Sequence, residues 1–157
     1  MDNITNKSMT INLNQQKLIS NPLRVKIIYL LAEQPMTAKQ VADKLGKTAG
    51  SIHYHIQQLF TGGILEIKET KENRGIIEKY YRSRATQFNL NDGIENKERE
   101  THSRGISLSL TNEELNALEA ELDALFLKYI KKTVNNNKAL RTSYEILCLF
   151  KKLKGEE

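Results

Sequence analysis

The first regular pattern in the chain is a run of apolar residues at helical spacing from Leu23 to Leu31. Asn21 can cap a helix here, and Pro22 suits the first helical position because its missing N–H would have no partner there. The pattern stops at Glu33-Gln34-Pro35. One helix is therefore predicted between Pro22 and this break. Residues 1–12 show no clear period and are interpreted as a flexible arm.

Two shorter helices are predicted directly after this one. Thr37 and Gln40 form a capping-box pattern, and Gly46 is suited to end a helix in the left-handed conformation. Only two residues later, Thr48 can cap a third helix that runs as far as Gly62-Gly63. Two helices joined by so tight a turn are the local signature of a helix-turn-helix.

The pattern then changes from helical spacing to runs typical of strands. Candidate strands cover residues 64–69 and 76–82, and the polar segment 70–75 between them ends in Asn-Arg-Gly, which suits a turn. A hairpin that directly follows a helix-turn-helix makes a winged helix. Residues 13–90 are therefore predicted to form a winged helix-turn-helix domain.

The second half of the chain begins after a charged segment, 91–105, which we interpret as a linker. Thr111 and Glu114 form a second capping box. Five apolar residues then recur at spacings of three and four, the a/d pattern of one helix packed along another: Leu115, Leu118, Leu122, Leu125 and Tyr129. We interpret this stripe as a dimer interface because the region is too small to bury both faces of a helix; packing within the chain is the alternative.

Two short segments flank this helix. Residues 106–110 alternate apolar and polar, which is typical of a half-buried strand, whereas residues 144–150 form a compact apolar run that periodicity assigns to neither strand nor helix. A strand is favoured for 144–150 because 106–110 would otherwise lack a partner. Cys148 lies in this run, where a thiol behaves as a small hydrophobe. Residues 106–157 are thus predicted to be a C-terminal dimerisation segment of a mostly helical α+β protein.

Composition and charge narrow the class of protein. A single cysteine excludes an intrachain disulfide framework, no apolar run approaches a membrane span, and the amino terminus lacks a secretory signal, so we expect a cytoplasmic protein without a membrane partner. Residues 1–90 carry 13 Lys/Arg against 7 Asp/Glu, whereas residues 91–157 carry 11 against 12. The winged-helix region therefore holds the positive charge, as expected for contact with a polyanion.

The helix that Thr48 caps has two chemically distinct faces. Counted at 100° per residue, Ile52, Ile56 and Leu59 share one face, and the opposite face carries amide, phenol and hydroxyl groups without a carboxylate. Such groups reach phosphates and base edges, and glutamine can pair with adenine in the major groove. His53 and His55 point about 200° apart, so they cannot share a metal ion. This face is therefore interpreted as a DNA-reading surface.

A family resemblance rests on these same residues. The segment 45–59, followed by Gly63-Ile64-Leu65, resembles the ArsR-like winged-helix repressors, and the similarity extends over roughly residues 13–90. The resemblance implies a dimeric bacterial transcription regulator whose third helix reads operator DNA. Many members of that family sense metals through cysteines near the second helix or through Asp/His ligands on the last helix. The equivalent segments here, 38–45 and 112–134, contain neither cysteine nor histidine, so no metal site is predicted.

The sequence thus predicts a homodimeric regulator of transcription, most simply a repressor, that binds duplex operator DNA without a metal or cofactor. The predicted DNA contacts lie on the third helix and the wing: Lys47, Thr48, Ala49, Ser51, His53, Tyr54, Gln57, Lys71 and Arg74. A winged helix that binds another protein is the alternative, and a nonspecific architectural protein is disfavoured by the modest net charge of +5. An enzyme is excluded because no phosphate loop or catalytic set is present. A small-molecule effector is compatible with the sequence, but no residue identifies it.

Overall fold

The computed structural model describes residues 7–90, 105–135 and 140–154 of the 157-residue chain. The chain divides into two compact units, Met1–Ser109 and Leu110–Glu157. The helices and strands of the first unit are β1 Ser8–Ile11, α1 Leu13–Ile19, α2 Pro22–Glu33, α3 Ala38–Leu45, α4 Ala49–Thr61, β2 Leu65–Asn73, β3 Ile76–Ser83 and β4 Gln87–Leu90. The second unit contains α5, Asn112–Asn135.

The three central helices begin and end where their capping residues predict. The Asn21 side chain accepts hydrogen bonds from the N–H groups of Leu23 and Arg24, at 3.0 and 3.1 Å, and Pro22 opens α2. Thr37 and Gln40 form the predicted capping box of α3. These hydrogen bonds join residues no more than three positions apart in the sequence.

Gly46 sets the short turn between α3 and α4. Its φ of +62° lies in the left-handed region, and a Cβ there would meet nothing within 4 Å. Glycine is therefore required for its backbone conformation and not for space. The Thr48 hydroxyl oxygen then accepts a 3.3 Å hydrogen bond from the N–H of Ser51, which starts α4 and completes the predicted helix-turn-helix.

The hydrophobic core of the first unit forms where α2, α3, α4 and the wing meet. The fully buried side chains include Ile27, Leu31, Val41, Ile52, Ile56, Leu59, Ile64 and Leu65. The predicted inner face of α4 is thus confirmed. A two-way backbone bridge between Met36 and Tyr81, at 2.9 and 3.1 Å, ties the start of α3 to β3.

The wing is a longer hairpin than the sequence predicts. β2 and β3 pair antiparallel up to Asn73 opposite Ile76, so Arg74 and Gly75 alone make the turn, with φ of 51° and 79°. Positive φ at both central residues is the geometry of a two-residue hairpin turn that matches strand twist. The turn at Asn-Arg-Gly is therefore confirmed, whereas the predicted end of the first strand at residue 69 is wrong, because cross-strand pairing extends β2 through Thr70–Asn73.

Residues 8–12 belong to regular structure, contrary to their interpretation as part of a flexible arm, and residues 1–6 of the predicted arm lie outside the described residues. Ser8–Ile11 form β1, which pairs parallel with β4, and Ile11 is 1% exposed. Asn12 and Gln15 then form a capping box for α1, a helix that was not predicted from the sequence. The predicted arm and the structure differ because the partner of β1 is Gln87–Leu90, too distant in sequence for a local pattern to indicate.

The described residues after position 104 confirm one prediction and contradict two. The Glu114 carboxylate accepts a 2.7 Å bond from the N–H of Thr111, whose hydroxyl oxygen accepts from the N–H of Glu114, as the capping box predicts. Residues 105–110 and 140–154 contain no strand or helix, so both predicted strands are wrong. Their apolar side chains are exposed, Ile106 at 71% and Leu147 at 82%, and exposed apolar runs gain little by forming a strand.

The predicted linker, 91–105, lies outside the described residues except for Gly105. Within the ranges that the structure describes, no helix is long and apolar enough to cross a membrane.

Candidate nucleic-acid interface

One face of α4 packs on the core and the opposite face is exposed. On the inner face, Ile52, Ile56 and Leu59 are fully buried, whereas Tyr54 on the outer face is 57% exposed. Because three buried anchors are spaced along one side, the rotation of α4 about its axis is set by the core. The structure therefore fixes which side chains of α4 face outward.

The predicted DNA-contact residues of α4 lie in two adjoining groups. Lys47, Thr48, Ala49 and Ser51 surround the amino-terminal end of the helix, and all four are exposed. His53, Tyr54 and Gln57 are exposed along its length. The amino-terminal end carries the positive pole of the helix dipole and N–H groups that suit a phosphate. Phosphate contact at the helix start and base contact along the helix are thus both sterically open.

A side-chain contact beneath this surface joins α4 to α2. The Nε of Arg24 on α2 donates a 3.2 Å hydrogen bond to Nδ1 of His55, which is half-buried on α4. The His55 ring also meets the Tyr54 ring edge to face, with centroids 5.4 Å apart. Burial, followed by the nearby Arg24 charge, lowers the pKa of His55 below its usual value. No local sequence signal links His55 to Arg24, which lies 31 residues earlier.

The wing carries its two predicted contacts in different environments. The Lys71 ammonium lies 3.1 Å from the Glu69 carboxylate and 4.6 Å from the centre of the Tyr80 ring. The hydrogen bond and charge of Glu69 raise the pKa of Lys71. Arg74 occupies the exposed turn, and no ion pair among the described residues involves it. Arg74 is therefore the more available cation for a phosphate.

The wing turn lies well away from the core. Leu65 at the base of β2 is fully buried, whereas every residue of β2 from Lys68 onward is exposed. Asn73 is eight residues further along, about 26 Å at 3.3 Å per residue. The α4 surface and the wing turn are thus two separate candidate contact surfaces on one unit.

The predicted dimer residues share one face of α5. Leu115, Leu118 and Leu122 are half-buried, and Leu125 and Tyr129 are 45% and 55% exposed. Phe126, one helical turn after Leu122, is half-buried on the same face and was not included in the predicted stripe. Its spacing of four from Leu122 was the signal that could have identified it.

Two observations on the described part of the chain concern metal ligands and the thiol. No group of three or more His, Cys, Asp or Glu side chains there could hold a metal ion. Cys148 is exposed, which contradicts its interpretation as a small hydrophobe within an apolar run.

Comparison with known proteins supports the resemblance found in the sequence. Residues 21–66 match the family described as bacterial regulatory protein, arsR family. This segment covers α2, α3, α4 and the start of β2, so the predicted resemblance is confirmed over the helix-turn-helix. Among curated proteins, no match to the sequence was found.

Several solved structures are similar to part of the chain. They include the homodimeric winged helix-turn-helix domain of Mb0332 from Mycobacterium bovis, a possible ArsR-family regulator, at 26% identity over 45% of this chain, with a TM-score of 0.39. The match spans 60% of that structure's own length. The transcriptional repressor BigR from Xylella fastidiosa is 24% identical over 45% of this chain and 64% of its own, with a TM-score of 0.37. With TM-scores below 0.5, these similarities carry no argument about function.

Proposed function

We propose that this protein is a transcriptional regulator of the ArsR type that binds a specific duplex operator as a homodimer and acts as a repressor. The premise is the arsR-family match over residues 21–66. The observation that carries the proposal is the outer face of α4, which is exposed, rigidly backed by the core and free of carboxylates.

The α4 residues divide into positioning and reading groups. Lys47, Thr48, Ala49 and Ser51 contact phosphates at the start of the helix, where its dipole favours an anion. His53, Tyr54 and Gln57 reach base edges in the major groove, where amide and ring N–H groups discriminate between base pairs. Arg74 on the wing, with a smaller contribution from Lys71, neutralises flanking phosphates.

Dimerisation supplies a second α4 helix, which binds the second half-site of the operator. The apolar stripe of α5 (Leu115, Leu118, Leu122, Leu125 and Tyr129) forms the proposed interface between two copies. Such a dimer places two α4 helices in successive major grooves about 34 Å apart, so the operator is expected to be a pseudo-palindrome.

We also propose how this regulator differs in effector sensing and where in the cell it acts. We assign no metal or cofactor to this regulator, in contrast to the metal-sensing members of the family that it resembles. An effector, if one acts, is a small organic molecule whose chemistry the residues do not specify. Because its ligand is genomic DNA, the site of action is the cytoplasm.

The decisive experiment is fluorescence anisotropy with the duplex upstream of the protein's own gene, beside a scrambled duplex, at several salt concentrations. Specific binding that weakens with salt is expected, and Tyr54→Ala should reduce the preference for the operator by about 10-fold. Lys39→Ala serves as the control, since Lys39 is exposed on α3 and pairs with Asp43 at 3.3 Å. Equal and weak binding of both duplexes at low salt would contradict the proposal.

One observation favours the alternative of a winged helix that binds a protein. Ile76 and Ile77, beside the wing turn, are each 68% exposed, and apolar side chains at such positions suit a protein surface. An Ile76→Ser/Ile77→Ser variant separates the two functions. Unchanged operator affinity is expected for a DNA-binding regulator, whereas capture of a protein partner that this variant abolishes, without any operator preference, would favour the alternative.

A further inference from the structure

The charges of α5 are segregated into two halves of opposite sign. The amino-terminal half carries five carboxylates, Glu113, Glu114, Glu119, Glu121 and Asp123. The carboxy-terminal half carries three ammonium groups, Lys128, Lys131 and Lys132. The change of sign falls within the apolar stripe, near Leu125. A helix with this distribution is complementary to a second copy of itself when the two run in opposite directions.

We propose that two copies of α5 pair antiparallel, with Glu121 of each copy facing the partner's Lys128. The inference rests on the proposed dimer and adds the direction and register of its helices. The occupant of the apolar stripe is thus a second copy of this chain.

The stripe itself determines the register. Leu115, Leu122 and Tyr129 occupy a positions, and Leu118 and Leu125 occupy d positions. Reversing one helix reverses the a-to-d order, so each a residue packs against a d residue of the other copy. Leu122 then packs against the partner's Leu125, and Tyr129 packs against the partner's Leu118. By symmetry each contact occurs twice, which covers Leu125 and Tyr129, now 45% and 55% exposed.

Glu121 and Lys128 lie on the same flank of the stripe. Each immediately precedes an a residue, Leu122 and Tyr129 respectively. In the register above, residues on this flank of one helix face the same flank of the other, and Glu121 reaches the level of the partner's Lys128. Two symmetric ion pairs therefore border the central Leu122–Leu125 layers.

Both groups are available for this role. Glu114 is already engaged in the capping box with Thr111, and the Lys132 ammonium lies 4.8 Å from the centre of the Tyr129 ring. In contrast, no salt bridge between described residues uses Glu121 or Lys128.

A parallel pair would be electrostatically unfavourable. Parallel helices bring together flanking positions five residues apart, so Glu114 would face the partner's Glu119. The acidic half of each copy would lie beside the acidic half of the other, and the basic half beside the basic half. The antiparallel direction replaces both repulsions with attractions.

The test is a charge-reversal cycle measured by sedimentation equilibrium of the full chain at low salt. Glu121→Lys and Lys128→Glu are each expected to raise the dimer dissociation constant about 10-fold, because both symmetric pairs become repulsive. The double variant should return to within about twofold of the wild type. Glu113→Lys and Lys131→Glu are the matched controls, since both residues lie on the face of α5 opposite Leu122, about 180° away.

A second measurement reports direction independently of charge. In a Cys148→Ser background, chains carrying Leu118→Cys and chains carrying Tyr129→Cys should form a mixed disulfide under oxidation. Self-cross-linking of the Leu118→Cys chains would show a parallel pair and overturn the inference.

The outcomes separate this inference from the proposed function. A stable dimer whose charge-reversal variants show no recovery in the double variant overturns the antiparallel pairing and leaves the regulator proposal standing. A wild-type chain that stays monomeric at all accessible concentrations overturns the proposed dimer, and the pairing with it.

Discussion

Arg24 on α2 and His55 on α4 are joined by a hydrogen bond in which the Arg24 Nε donates to the His55 Nδ1 over 3.2 Å. A second guanidinium nitrogen of Arg24 donates to the carbonyl oxygen of Leu18, at 3.3 Å. One side chain therefore links the end of α1, the start of α2 and the middle of α4. Since Nδ1 accepts, this bond requires the neutral imidazole with its proton on Nε2.

The bond makes stability depend on pH in a defined direction. Burial and the Arg24 charge lower the pKa of His55 in the folded chain below the usual 6.5. The unfolded chain therefore binds the proton first, so this contribution to stability is complete above pH 6.5 and is lost as the pH falls towards the folded-state pKa. Thermal unfolding between pH 7 and pH 5 should show a shallower pH dependence for His55→Gln than for the wild type.

His53 provides the control for this pH effect. It lies two residues away on the same helix but is exposed. The His53→Gln variant should keep the wild-type pH dependence of the melting temperature. An unaltered slope in His55→Gln would contradict the role assigned to the Arg24–His55 bond.

We expect the two basic residues of the wing, Lys71 and Arg74, to contribute unequally to DNA binding. Lys71 is held by Glu69 at 3.1 Å, whereas Arg74 lies at the exposed turn. We expect Arg74→Ala to weaken binding to all duplexes and to reduce the slope of log affinity against log salt by about one. Lys71→Ala should change this slope less, because its charge is already compensated. Salt titrations of DNA binding by both variants measure the two slopes. An equal loss of slope in Lys71→Ala and Arg74→Ala would show that DNA displaces Glu69 from Lys71.

Substitution by alanine is expected to change stability in opposite directions at Gly46 and at Gly50. Gly46 has a φ of +62° and Gly50 lies in α4, yet a Cβ at either position would meet nothing within 4 Å. Gly46→Ala should cost about 1–2 kcal/mol of stability through left-handed strain. Gly50→Ala should add about 0.5–1 kcal/mol by favouring the helix. Urea unfolding measures both, and a destabilised Gly50→Ala variant would contradict the helical geometry at that position.

The helix-turn-helix could be predicted from sequence because its determinants are local. Caps at Asn21, Thr37 and Thr48 lie within three residues of the N–H groups that they satisfy, and the spacing of Ile52, Ile56 and Leu59 alone identifies the buried face of α4. The candidate contact residues of α4 follow from the same spacing, since a residue opposite the buried face must point outward.

The remaining features depend on partners distant in sequence. The extent of the wing follows from the register that places Lys71 opposite Glu78 and beside the Tyr80 ring, and the hydrogen bond to His55 comes from Arg24, 31 residues earlier. Residues 144–150 were misassigned for a related reason. An apolar run shows that burial would be favourable, but not that another part of the chain covers it.

The amino-terminal segment allows a direct test of whether contacts with residues distant in sequence hold it in the core. Ile11 belongs to the hydrophobic core at 1% exposure, whereas Leu13, two residues later, is 59% exposed. Ile11→Ala should therefore cost about 2–4 kcal/mol of unfolding free energy, because it leaves a cavity under β1, and Leu13→Ala should change it by less than about 0.5 kcal/mol. Urea denaturation of the two variants gives both values. Equal, small losses would restore the interpretation of residues 1–12 as a flexible arm, since an arm outside the core contributes no burial at either position.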